Sequence, residues 1–317
     1  MNLEQSLAAP GACLMVVAPH PDDESLAAGG MIQRALEAGA RVHIVFVTEG
    51  DNNPWPQRML EHRLRIGPRE RERWAARRRE EARQALRELG AETVAIHRLQ
   101  WPDGGVTAKL VDETPAALEQ WRGLLEEIRP TLLVVPDLAD RHPDHSALHV
   151  LLELVLQAAP IERRPLCLCY LLHGRAAFDR LRRTAFPLTP QETARKRAAI
   201  LAHRSQIALS RGRLMRFASD REWFATGLGN HAIPGPRLPW KVPRWAHPAM
   251  ALFAVDPLGG QRLDCDGAHD APSLLWRDGT PAATLARPLQ APCYVKLYSP
   301  VPSPWVFDVW GWKRFNP

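Results

Sequence analysis

Two short runs, His20-Pro-Asp-Asp-Glu24 and His142-Pro-Asp-His145, share one grammar. Each places a histidine, a proline and a carboxylate ahead of another group able to bind a metal. His20, Asp23 and His145 together offer two imidazoles and one carboxylate, the donor set of a catalytic zinc that keeps a position open for water or substrate. Asp22 and His142 then remain beside the ion as proton handlers. A carboxylate there can take the proton of an attacking water, and an imidazole facing a polarised carbonyl can stabilise an oxyanion or protonate a leaving amine. Two other classes use related parts. Two histidines and a carboxylate also make the facial triad of non-haem iron oxygenases. A Rossmann-like nucleotide-binding module would instead need a Gly-rich phosphate turn after its first strand, where this chain has His-Pro-Asp-Asp-Glu.

The elements that must hold these residues alternate along the chain. Leu14 to Ala18 is an unbroken apolar stretch of the kind buried on both faces of a parallel sheet, and Leu132 to Pro136 is another. Each leads into one of the runs, so the chemistry begins at the carboxyl end of a buried strand, the edge where open α/β sheets bind ligands. The prolines push the preceding histidines out of helical geometry and suit bent loops. A helix is expected from Glu24 to Ala38, a strand from Val42 to Thr48, and a loop through Asn52, Asn53, Pro54 and Pro56. A long charged helical region then ends at Gly90. Further strands are expected at Thr93–Leu99 and Leu166–Leu172, with helices from Pro115 to Ile128 and from the second run to Ala158. The fold class is α/β: a Rossmann-like parallel sheet with helices on both faces and right-handed crossovers.

Ala18-Pro-His20-Pro-Asp-Asp-Glu24, Thr48-Glu49-Gly50 and Arg141-His142-Pro-Asp-His145 resemble the PIG-L/LmbE-like family of zinc-dependent N-acetylglucosaminyl deacetylases. The likeness extends over roughly residues 12 to 225, with one departure: Pro19 stands where the family more usually has alanine. It implies one zinc per chain held by His20, Asp23 and His145, with Asp22 as general base, His142 as electrophilic or acid group and Asp144 tuning His142. Further family-like positions are Arg78 in Arg78-Arg-Glu-Glu81-Ala82, and Lys196 with His203-Arg-Ser-Gln206, with Arg78, Arg141 and Gln206 as candidate substrate-binding residues. The implied reaction is removal of an N-acetyl group from an amino-sugar glycoconjugate. The nearest alternative is amide cleavage in a thiol-sugar conjugate. The family's strand order 3-2-1-4-5 would make strands one and four neighbours and bring both runs to one crevice.

Composition sets the remaining limits. A chain of 317 residues, 45% hydrophobic, suits one large domain, residues 1–230, followed by an extension over 231–317. No run is apolar enough for a membrane span, and the first residues lack a secretory pattern, so a cytoplasmic protein is expected. Cys13, Cys167, Cys169, Cys265 and Cys293 lack metal spacing and read as core residues. The net charge of +6 and pI near 9.4 come largely from arginines interleaved with glutamates between Arg58 and Glu88, the pattern of a solvated helix. Nucleic acid is therefore not an expected partner, whereas peripheral contact with a membrane surface is compatible with this charge. Beyond His231, prolines such as Pro236, Pro243 and Pro248 interrupt any helix. The aromatic end with Tyr294, Tyr298, Trp305, Phe307, Trp310 and Trp312 reads as a small β subdomain, or as a sugar-stacking or interfacial wall with Lys313 and Arg314 near phosphates. Glu24 is expected to cap or orient the first helix, Asp103 to line the pocket or make a turn, and His97, His149 and His173 to be ordinary. Oligomeric state has no signal in the sequence.

Overall fold

The apolar runs ahead of the two histidine motifs form neighbouring strands, β1 (Cys13–Ala18) and β4 (Leu132–Pro136), paired in parallel with Leu14 opposite Leu132. Between them in the chain lie β2 (Arg41–Thr48) and β3 (Ala95–Trp101), and after them come β5 (Leu166–Tyr170), β6 (Arg183–Pro187) and β7 (Arg221–Thr226). The sheet runs β3-β2-β1-β4-β5-β7-β6, and its first five strands are parallel. This is the order implied by the family resemblance. Strand order reverses between β1 and β4, which is where such sheets open a crevice. β7 runs antiparallel to both β5 and β6. The helices are α1 (Leu3–Leu7), α2 (Asp23–Glu37), α3 (Pro54–Glu61), α4 (Pro68–Glu88), α5 (Val106–Asp112), α6 (Thr114–Ile128), α7 (Pro143–Ala158), α8 (Pro190–Ala202) and α9 (Arg204–Leu214).

The computed structural model describes all residues except 1–2, 175–182, 229–231, 235–236, 243–249, 266–272, 278, 300–306 and 317. By packing, the chain divides into two units. One joins Met1–Gly104, Glu127–Pro136 and Pro165–Gly227, and the other joins Gly105–Glu126, Asp137–Arg164 and Leu228–Pro317. The first unit holds the seven-stranded sheet. Its core is built from alternate β1 residues Leu14, Val16 and Ala18, with Ile44 and Phe46 of β2 and the apolar face of α2.

Two helices of this unit differ from the sequence reading for identifiable reasons. α2 is kinked at Ala28, whose φ of −135° and ψ of 16° lie outside helical geometry. The carboxylate of Glu222 on β7 takes the backbone N–H groups of Gly30 and Met31 at 2.7 and 3.0 Å, capping the second segment as a helix start. Lys196 of α8, itself buried, neutralises Glu222 at 2.6 Å. In α4 the expected ion-pair lacing is present on the outer face, with Arg73–Glu70, Arg83–Glu80 and Arg87–Glu80 pairs. Its inner face carries Trp74, Arg78, Glu81, Ala82 and Ala85, so Arg78 and Glu81 are buried instead of solvated. The expected loop through Pro54 and Pro56 is instead the helix α3. Pro54 occupies its first turn, where a proline's fixed φ and missing N–H cost nothing.

In the second unit, α5 packs on α7 and against the hairpin β9 (Ala251–Asp256) and β10 (Gly259–Asp264). With β8 (Ile233–Pro234), β13 (Cys293–Tyr298) and β14 (Lys313–Asn316) these strands form a sheet ordered β10-β9-β13-β14-β8, beside a two-stranded ribbon of β11 (Ser273–Leu275) and β12 (Pro281–Thr284). A small β subdomain, the simpler of the two sequence expectations, therefore describes this segment. Of the expected aromatic wall, Tyr294 and Trp312 are fully buried and Trp310 packs against the core, whereas Tyr298 is exposed. Trp305 lies outside the described residues. Arg314, expected near phosphates, instead pairs at 3.1 Å with buried Glu153 of α7. All five cysteines are buried and unbridged, as expected of core residues. Among the described residues no helix is long and apolar enough to cross a membrane.

The seam between α5 and β10 rests on Gly260, where an added Cβ would meet the Val111 carbonyl oxygen at 2.1 Å. Backbone cannot move aside as a side-chain tip can. Gly260→Ala should cost about 1–3 kcal/mol, the range for forced overpacking, read as a lower thermal unfolding midpoint.

Candidate active site

The loop leaving β1 buries three consecutive carboxylates, Asp22, Asp23 and Glu24. Each has a separate compensating partner. Asp23 accepts the backbone N–H of His20 at 2.9 Å, and its Oδ2 lies 3.3 Å from His20 Nδ1. Glu24 uses both oxygens: Oε2 accepts the Asp22 backbone N–H at 3.0 Å, while Oε1 accepts the Ser25 hydroxyl at 2.7 Å and faces His203 Nε2 at 3.3 Å. Asp22 meets Arg78, whose Nη2 donates to its Oδ1 at 3.1 Å.

Asp22 also has a backbone φ of +145°, a region in which L side chains are rare and which costs of order 1–3 kcal/mol. The loop around it is heavily tied. Arg78 Nη2 donates to the Pro21 carbonyl at 2.6 Å and Nη1 to the Gly50 carbonyl at 2.8 Å. Thr48 donates its backbone N–H and its hydroxyl to the Pro19 carbonyl, at 3.0 and 2.9 Å. Gly50, at φ +63°, leaves the gap through which Arg78 reaches. A Cβ there would lie 1.9 Å from Nη1. The Thr48-Glu49-Gly50 run is thereby explained as the clamp on the first motif.

Burial pushes the Asp22 carboxyl above its ordinary range, with Arg78 pulling the other way and Asp23 and Glu24 adding to the rise. Asp103, in the turn after β3, lies with Oδ1 3.2 Å from His20 Nε2 and accepts the Asn52 backbone N–H at 2.6 Å. Burial raises its pKa, but the bond to His20 and its charge outweigh this and leave Asp103 below the ordinary carboxylate value. His203 is displaced upward because, against the penalty of burial, the Glu24 carboxylate favours its cation.

The second motif opens α7. His142 is its N-cap residue, and its Nδ1 accepts the Asp144 backbone N–H at 3.3 Å, which puts the proton of the neutral ring on Nε2. Asp144 is fully buried and its Oδ1 accepts the Val106 backbone N–H of α5 at 3.1 Å. Asp140 braces both histidines: its Oδ1 accepts the His142 backbone N–H at 2.9 Å and its Oδ2 lies 3.2 Å from His145 Nδ1. A carboxylate at one ring nitrogen is the usual support for an imidazole that ligates metal through the other. The donor chemistry thus fits a divalent ion: His20, Asp103 and His173 in the first unit, and Asp140, His142, Asp144 and His145 in the second, are among the side chains able to bind one, whereas Asp23, expected as a ligand, is not among them.

The other expected residues have different surroundings. Arg78 directs both terminal nitrogens at the chain itself, a different use from the grip on substrate hydroxyls expected of it. Arg141 is exposed and reaches the Asp308 carbonyl at 3.4 Å. Gln206 donates to Ser205 Oγ at 3.0 Å. Lys196 belongs to the α2 kink. Glu24 does lie in the first turn of α2, and its carboxylate orients the loop as well as the helix. His97 is paired with His43 at 3.1 Å and His149 faces Glu153 at 3.7 Å, both ordinary contacts.

Sequence reasoning overlooked Asp140 and the pairing of Glu81 with Ser205. The first stands only two residues before His142. The second was signalled by Glu81 falling on the helical repeat of Trp74, Arg78 and Ala85, the face that α4 buries.

A family model described as PIG-L, GlcNAc-PI de-N-acetylase, matches residues 15–158. The chain is 30% identical over 167 residues to a 1D-myo-inositol 2-acetamido-2-deoxy-alpha-D-glucopyranoside deacetylase of Mycobacteroides abscessus, across 46% of this chain and 56% of that protein. A protein of the same name from Saccharomonospora viridis is 28% identical over 242 residues, covering 62% and 85% of the two chains. The chain spans little more than half the length of the first of these curated relatives. Among solved structures, a deacetylase complexed with teicoplanin shares the fold with a TM-score of 0.53 at 19% identity, over 69% of this chain and 99% of that one. Metal dependence is a property of the family, and the donors it requires are present here. The motifs, the strand order and the family model agree, and over residues 15–158 this chain is similar to the PIG-L family.

Proposed function

We propose that this protein is a zinc-dependent N-deacetylase of an N-acetylglucosamine-containing glycoconjugate, with His20, Asp23 and His145 as the metal ligands. The observation that carries this reading is topological: the two motifs leave the carboxyl ends of β1 and β4, adjacent parallel strands at the reversal of strand order. The names of the relatives, which act on an acetamido sugar joined to inositol, favour acetyl over a larger acyl group. A zinc ion held by these donors supplies Lewis acidity, polarising an acyl carbonyl and easing loss of a proton from water.

The chain's own residues supply the rest. Asp22 is the general base: its buried carboxyl sits above the ordinary carboxylate range, nearer the working pH at which proton transfer is efficient. Arg78 fixes that carboxylate, so its role in this reading is to aim the base. His142, with its proton on Nε2, donates to the oxyanion as the carbonyl carbon becomes tetrahedral. The backbone N–H of Asp144 holds the ring in that tautomer, while its carboxylate, expected to tune His142, accepts the Val106 backbone N–H. As the intermediate collapses, the amine takes a proton from Asp22 or His142, and acetate departs.

Two measurements test the assignment. Elemental analysis should find about one zinc per chain, lost in His145→Ala; full occupancy in that variant would remove His145 from the ligand set. Asp22→Asn should retain zinc yet lose about 10² to 10⁴ in kcat for acetate release from 1D-myo-inositol 2-acetamido-2-deoxy-alpha-D-glucopyranoside, the usual worth of a general base. A loss below tenfold at equal zinc would argue against Asp22 as the base.

A further inference from the structure

His203 lies some 180 residues from Asp22 in sequence, yet only one side chain separates them. Its Nε2 faces Glu24 Oε1 at 3.3 Å and Ser25 Oγ at 3.4 Å, and the other oxygen of Glu24 takes the Asp22 backbone N–H at 3.0 Å. All four residues, Asp22, Glu24, Ser25 and His203, are buried. The histidine is in turn fixed from behind. It ends α8 and precedes α9, and Glu81 of α4 takes both the backbone N–H and the hydroxyl of Ser205, at 2.9 and 2.5 Å. A carboxylate bonded at one oxygen alone can swing about its side-chain torsions. Bonded at both, it holds its acceptor at a fixed point; here Oε1 is held by His203 together with the Ser25 hydroxyl at 2.7 Å, and that point fixes the peptide with φ +145°.

We propose that His203 is a positioning residue for Asp22, acting through Glu24 to hold the strained Asp22 backbone in the orientation that aims its carboxylate. Arg78 grips the same residue from the other side, through Oδ1 and the Pro21 carbonyl. The His203-Arg-Ser-Gln206 run thereby acquires a function: Ser205 seats the helix start and His203 closes the bracket on Glu24. The proposal rests on the reading of Asp22 as the base, so its test separates the two.

A double-mutant cycle in the full chain distinguishes positioning from general structural support. His203→Ala should lower kcat roughly 10- to 100-fold on the acetamido sugar–inositol, with little change in KM and with zinc content retained. The same change made in Asp22→Asn should cost less than about twofold, because the residue being aimed is already silent. His203→Gln, whose amide can still donate to Glu24, should recover part of the loss. A second readout needs neither metal nor turnover: hydrogen exchange of the zinc-free chain, followed over residues 19–26, should show the Asp22 amide exchanging about tenfold faster in His203→Ala. If that variant does not fold, Glu24→Gln, which keeps the shape but loses one acceptor, is carried through the same cycle.

Equal fractional losses with Asp22 intact and in the Asp22→Asn background, or an unchanged exchange rate, would overturn the proposal. Full activity in Asp22→Asn alone would overturn the base assignment instead, leaving the exchange measurement to report on the bracket.

Discussion

Burying three adjacent carboxylates is the constraint around which this protein is organised. Asp22, Asp23 and Glu24 occupy consecutive positions with almost no access to solvent, where like charges repel strongly and each ion has lost its hydration. The chain resolves this by giving each a different partner from a different place: Arg78 from α4, His20 from the same loop, and His203 from the junction of α8 and α9. The separation of partners keeps the three groups chemically distinct. In the proposed reading one serves proton transfer, one serves a metal, and one is spent on structure.

Those partners explain why short runs scattered over nearly 200 residues read as one signature. Gly50 lacks a side chain because Arg78 passes there, Thr48 is bonded to the Pro19 carbonyl, and Ser205 docks on Glu81 so that His203 meets Glu24. None of these residues needs to touch a substrate to be required. A likeness in such positions therefore speaks to the geometry of the loop after β1 and leaves the identity of the sugar's aglycone to other parts of the chain.

The parallel sheet was legible because β1, β2, β4 and β5 are apolar runs of strand length, each closed by a turn or motif, and burial on both faces leaves no other use for such runs. α4 was legible as a helix, but its charge pattern concealed that two of its charged residues point inward. Mean charge describes the outer face of a helix, whereas the spacing of Trp74, Arg78 and Glu81 describes the inner one. β7, β6 and α5 were not found. They are short, and α5 is held by contacts distant in sequence, such as the Arg262–Asp112 pair and Gly260 beneath Val111. The motif residues themselves were easy to find and His203 was named, in the His203-Arg-Ser-Gln206 run, without a role, while Asp140 was not found, because a bracing role has no composition of its own.

The path of Arg78 has a consequence for how the molecule assembles. Its guanidinium joins carbonyls of two loops, 28 and 57 residues away in sequence, so α4 can dock only after both loops have taken their final course. Until then a guanidinium and a carboxylate both wait unpaired at a surface about to be closed. Docking must then be nearly all-or-none, since a half-inserted arginine has lost water without gaining its acceptors. The loop after β1 should open and close as a single cooperative unit together with α4, and the two should share one opening free energy although they lie far apart along the chain.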